Sequence, residues 1–131
     1  MSALKALCFL ENVKTMTHTS VLYLNHSSVL IRYADQYLLC DPWYERPAFG
    51  SWMSNPAMFV HPTYLVALQS HLALLISHGH DDHADDQLLR LFSEDTPVVT
   101  SDYESPGVRK RIENAGFRNV MEAGEDGLDV G

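Results

Sequence analysis

Cysteine is nearly missing from this chain. Only Cys8 and Cys40 occur, and neither sits in a Cys-x-x-Cys pair or at a zinc-finger spacing. That argues against a disulfide scaffold and for two reduced thiols filling apolar space in a cytoplasmic protein. Positive charge is scarce as well. Lys and Arg number 9 against 17 Asp and Glu, a formal net charge of −8. Such a surface lacks the basic footprint that nonspecific nucleic-acid binding needs, so no nucleic-acid partner is expected. No apolar run approaches the roughly 18 residues that span a bilayer, so no membrane span is expected. Met1 to Phe9 carries one Lys and no Ala-x-Ala site, which makes a poor signal peptide. Internal repeats and low-complexity stretches are absent, and no histidine follows His83.

What is present fits one globular domain: 131 residues, 46% hydrophobic and 20% charged. Met16 is a second possible start, so residues 1–18 read as an N-terminal extension and 19–131 as the domain. Val21 to Leu24, Ser28 to Tyr33 and Tyr37 to Cys40 form a meander of β-rich runs separated by turn residues. Asp41-Pro42 stops the third. Residues 42–62 read as a long proline- and aromatic-rich loop, a length often tied to function. Thr63 to Ser70 is ambiguous between loop and short helix. His71 to Ser77 reads as a buried strand. A helix is predicted over Ala84 to Phe92, capped by Asp82 or a neighbour, with Asp85 and Asp86 in its first turn. Then come a strand at Pro97 to Thr100, a helix from Pro106 to Ala115 and a last strand at Phe117 to Met121. The order predicts an α/β fold with a mixed sheet covered by helices on at least one face.

The chemistry concentrates in Ser77-His78-Gly79-His80-Asp81-Asp82-His83. Three imidazoles and a carboxylate project from one strand-to-helix connection, where α/β proteins place their sites. Zinc takes imidazole nitrogen and carboxylate oxygen at about 2.0–2.2 Å. Alternate residues of an extended segment point the same way, so His78 and His80 are expected to reach one metal together, with Gly79 letting the backbone bend. Asp82 and His83 lie where the chain turns, and suit a second metal. Zinc, one ion or two, is the expected cofactor; iron and manganese accept the same donors. A solvated, merely His-rich loop is the bland alternative.

This run resembles the signature of the metallo-β-lactamase superfamily. Asn25-His26-Ser27-Ser28 resembles the Gly-His-Ser-Ser turn of its lactonase-like and phospholipase-like branch. Asp41-Pro42-Trp43, with Pro47-Ala48-Phe49 and Trp52, is similar to the branch containing the β-lactamase-like part of the CMP-N-acetylneuraminate hydroxylases. The resemblance covers about residues 19–125. It implies half of an αβ/βα sandwich, with His78 and His80 on a first metal and Asp82 and His83 on a second. It also implies that Asp82 assists proton transfer. Asp41 would accept a hydrogen bond from a ligand imidazole, and His26 would line the site. The superfamily takes further His and Asp ligands from its second half. Asp102, Asp126 and Asp129 do not follow apolar strands in the expected way, so the domain reads as truncated at its C-terminus. No Rieske-type Cys-x-His pair is present.

Two functional readings follow. The first is a hydrolase directing a metal-bound hydroxide at an ester, lactone or phosphodiester of a small-molecule substrate. The second is a non-catalytic metal-binding or interaction module of the same fold. Self-association of half-sandwiches into a homo-oligomer is a further expectation. Other residues have ordinary readings. Trp43, Phe49, Trp52 and Phe59 either rim a pocket or bury the loop. Ser27 and Ser28, with no nucleophile elbow around them, hydrogen-bond in their turn. Arg109, Lys110 and Arg111 form the solvated face of the second helix, and His61 and His71 have no special role.

Overall fold

The computed structural model describes residues 19–101, 106–124 and 126–127. The predicted extension with Cys8 and Met16, and the acidic positions Asp102 and Asp129, lie outside these. Strands β1 (Ser20–Asn25), β2 (Ser28–Tyr33) and β3 (Gln36–Cys40) form the expected antiparallel meander. Two-residue loops join them, and such loops need left-handed backbone. His26 (φ 39°) and Ala34 (φ 53°) supply it. β4 (Leu72–Ile76), β5 (Val98–Ser101) and β6 (Val120–Ala123) then add in parallel beside β3, giving one mixed sheet in order β1-β2-β3-β4-β5-β6.

Three helices fill the crossovers: α1 (Pro62–Val66), α2 (Asp86–Leu89) and α3 (Gly107–Asn114). Leu65 of α1, Leu88 and Leu89 of α2 and Ile112 of α3 share one buried cluster with Leu30, Leu39, Leu74, Ile76 and Val98 of the sheet. All three helices therefore cover the same face. Parallel strands added in sequence order lead to this, because their crossovers share one hand. On the opposite face Val21, Tyr23 and Tyr33 are exposed. No helix among the described residues is long and apolar enough to cross a membrane.

Helix α2 is shorter than its sequence predicts. The chain first closes a separate turn, in which the N–H groups of His83 and Ala84 both donate to His80 O. Asp85 then adopts extended backbone and caps the helix, accepting from the N–H groups of Gln87 and Leu88. The cap is thus Asp85 and not Asp82, whose carboxylate is turned into the site. The other Asp85 oxygen accepts from Tyr44 N at 3.1 Å, tying the loop after β3 to the helix start. Because Asp85 is buried and satisfies three backbone donors, Asp85→Ala is expected to lower unfolding free energy by about 1–3 kcal/mol. Urea denaturation measures the loss.

Candidate metal centre

The ends of β1, β3 and β4 that carry the site lie along one edge of the sheet, because β1 and β4 both run parallel to β3. β1 brings His26, β3 leads into Asp41, and β4 feeds Ser77 and the histidine run. Crevices outside the carboxyl ends of parallel strands are where α/β folds bind ligands.

Asp41 organises this edge. It sits at φ 44°, a left-handed conformation that Asp tolerates better than most residues. Its carboxylate accepts from Ser77 N at 2.7 Å, Ser77 Oγ at 2.7 Å and His83 Nδ1 at 2.9 Å. With Nδ1–H donating to Asp41, His83 keeps an Nε2 lone pair, and Nε2 lies 3.5 Å from Asp82 Oδ2. The Ser77 hydroxyl, its own proton given to Asp41, accepts from His78 Nδ1 at 3.0 Å. That leaves His78 Nε2 unprotonated, 3.1 Å from His80 Nδ1. Burial, with the nearby His83 and His80 rings, holds His78 below its ordinary value, so its neutral, ligating form dominates at neutral pH. Burial pushes the neighbouring Cys40 thiol up to about 11, which makes it the inert apolar filler expected.

Two sets of donor atoms converge here, each lying within 4.8 Å of one another: His26, Asp82 and His83, and His78, His80 and Asp82. Asp82 is common to both, so the donors do not separate into the two sequential pairs that spacing suggests. His26, expected only to line the site, has Nε2 at 3.0 Å from Asp82 Oδ2. Asp82 is 5% exposed, yet its Oδ1 is buried with no hydrogen-bond partner among the described residues. A buried carboxylate oxygen without a donor is costly, and a cation satisfies it. The nitrogen and oxygen donors therefore suit a divalent metal of the zinc, iron or manganese kind.

Three residues here escaped the sequence reading. Ser77 carries no motif signal of its own. Asp81 and Arg111 meet across 30 positions. Arg111, predicted to be solvated, instead reaches into the ligand loop. It donates to Asp81 Oδ1 at 2.8 Å, to Asp86 Oδ1 at 3.0 Å and to Gly79 O. Burial opposes its charge, but the two carboxylates outweigh burial and raise Arg111 above its usual value. In return Arg111 holds the Asp81 carboxyl below the ordinary range. What this pairing adds to stability is present at neutral pH and is lost only as pH falls through that lowered value. Gly79 is not required by its backbone. A Cβ there would make ordinary contact with Val108 at 3.6 Å, and its φ is not left-handed.

The loop aromatics divide between the two roles. Trp43 is buried, donates from Nε1 to Arg46 O and packs edge-on against His26 at 5.2 Å. Phe59 packs against the core. Phe49 and Trp52 are exposed. His61 caps α1 through its side chain, and His71 ends a 3-10 turn before β4. Ser27 and Ser28 reach beyond their turn, to Asp82 O and Cys40 O.

Residues 20–128 match the family described as the beta-lactamase superfamily domain. The chain belongs to that superfamily. Over 98 residues it is 35% identical to a candidate Rieske 2Fe-2S iron-sulfur protein of Mycolicibacterium smegmatis, a match covering 74% of this chain and 18% of that protein. Over 79 residues it is 34% identical to a metal-dependent hydrolase of Roseobacter denitrificans, covering 60% of this chain and 31% of that one. Among solved structures, a diiron beta-hydroxylase from Streptomyces venezuelae shares the fold with a TM-score of 0.59 at 21% identity, over 89% of this chain and 23% of that chain. This superfamily chain thus spans less than a third of the length of each of these proteins. The mixed sheet with helices on one face is the architecture its resemblance implied.

Proposed function

We propose that this chain carries the metal-holding edge of a metal-dependent hydrolase acting on an ester, lactone or phosphodiester of a small molecule. The observation that carries the reading is Asp82: one buried carboxylate, with a partnerless oxygen, shared by two sets of imidazole donors at the carboxyl edge of the sheet. The likeness to a metal-dependent hydrolase of Roseobacter denitrificans supports it. His78, His80 and Asp82 would hold one ion, and His26, Asp82 and His83 a second. Such ions polarise the scissile bond and lower the pKa of water.

The chain's own residues supply the rest. Asp41 fixes the His83 tautomer and, through the Ser77 hydroxyl, that of His78. Asp82 would also assist transfer of the proton of the attacking water, as the superfamily resemblance implies. Arg111 holds the ligand loop from outside at Gly79 and Asp81. Elemental analysis and a panel of phosphodiesters, lactones and esters test the proposal. Purified protein is expected to contain zinc, iron or manganese and to lose hydrolysis on chelation. Metal-free protein whose behaviour is indifferent to chelator overturns it.

The second reading, a module that holds metal without turnover, rests on the donor sets alone, which suffice to hold an ion. Bound metal with no hydrolysis on any panel member would select it.

A further inference from the structure

A short turn beside the site exposes two large aromatics without burying either. Ala48 and Trp52 exchange both backbone hydrogen bonds at 2.8 Å, and Ser51 N adds a third to Ala48 O. Phe49 (φ 49°) and Gly50 (φ 84°) form the left-handed tip. Phe49 is 57% exposed and Trp52 53%. A left-handed phenylalanine facing water adds nothing to the core and strains the backbone.

Both rings are nevertheless placed against the site. Phe49 meets His80 edge to face at 5.4 Å, and Trp52 meets His26 the same way at 5.5 Å. The two rings lie 6.0 Å apart, tilted by 33°. The turn is pinned at its start. Ala48 is fully buried, and the Phe49 N–H donates to Asp81, which Arg111 holds. The rings thus form a fixed apolar wall along one side of an otherwise polar cluster. Exposed aromatic rings bind flat apolar groups by offset or edge-to-face contact.

We propose that Phe49 and Trp52 are specificity-determining residues that bind an aryl group flanking the hydrolysed bond. The proposal rests on the hydrolase reading and names its substrate class: a small aromatic ester, lactone or phosphodiester. Polar substrates of the same bond type gain nothing from the wall.

Binding of two non-hydrolysable probes, methylphosphonate and phenylphosphonate, tests this by calorimetry on the metal-loaded full chain. Phenylphosphonate is expected to bind about tenfold more tightly. In the double variant Phe49→Asn, Trp52→Ser that preference disappears while methylphosphonate affinity and metal content stay unchanged. Asn suits the left-handed backbone, so the turn is kept. Phe49→Tyr, which keeps the ring, retains the preference. A double variant that keeps the preference, or a parent protein that binds methylphosphonate without one, overturns the inference alone. Binding of neither probe overturns the hydrolase reading with it.

Discussion

Asp82→Ala is expected to cut metal affinity by two orders of magnitude or more, the largest effect of any single change in this chain. Asp82 serves both donor sets, so its loss leaves His78 with His80 and His26 with His83. Two protein donors are one fewer than catalytic zinc ordinarily has. Hydrolysis is expected to fall with the metal. The metal-free protein behaves differently. Asp82 is buried, and its Oδ1 lacks a donor, so removing the carboxylate relieves a cost. Apo Asp82→Ala is therefore expected to be at least as stable as the apo parent. Metal titration with urea denaturation of both apo forms checks this. A variant that binds metal normally but unfolds more easily would make Asp82 a structural residue.

The second large effect belongs to Asp41. It belongs to neither donor set, yet it accepts from Ser77 N, Ser77 Oγ and His83 Nδ1. Asp41→Ala removes the carboxylate that accepts from Ser77 and His83 and puts a residue with no polar side chain at φ 44°. A stability loss of about 2–3 kcal/mol is expected, with metal affinity lowered about 10- to 100-fold. Asp41→Asn separates the two effects. Asn accepts left-handed backbone and keeps one acceptor oxygen, so stability returns for the most part. It does not restore a charged acceptor for both Ser77 and His83, so metal affinity stays low. Denaturation midpoints and metal titrations of the two variants provide the comparison. Equal recovery of both properties in Asp41→Asn would show that Asp41 acts on the fold alone.

Local order along the chain was legible where pattern and burial agree. The three β-runs of the meander, the apolar strand before Ser77 and the helix before Gly116 match β1, β2, β3, β4 and α3 to within a residue or two. Helix α2 was overestimated because Leu88, Leu89 and Phe92 are spaced as on a helix. The ligand loop, however, takes its own turn at His80 to Ala84, and Phe92 lies past the helix end. Arg111 was misread for a related reason. It sits in a basic run, Arg109-Lys110-Arg111, and nothing in that run says which residue faces inward.

The sequence by itself determined the donor chemistry. Three imidazoles and a carboxylate within six positions, after an apolar strand, supply atoms able to ligate a metal. It also determined the superfamily and the order of elements along the chain in outline, since hydrophobic period and turn residues act over a few neighbours. Only the tertiary structure decided how those donors group. Asp82 belongs to two sets because the β1–β2 turn carries His26 to it across 56 positions. Likewise, Asp41 orients two histidines because β3 and β4 pair in parallel and end side by side. Phe49 is likewise tied to the ligand loop through its N–H bond to Asp81, which Arg111 holds. These contacts join residues far apart in sequence. Chain closure over such distances is set by the packing of the whole sheet and its helices, and no local pattern encodes it.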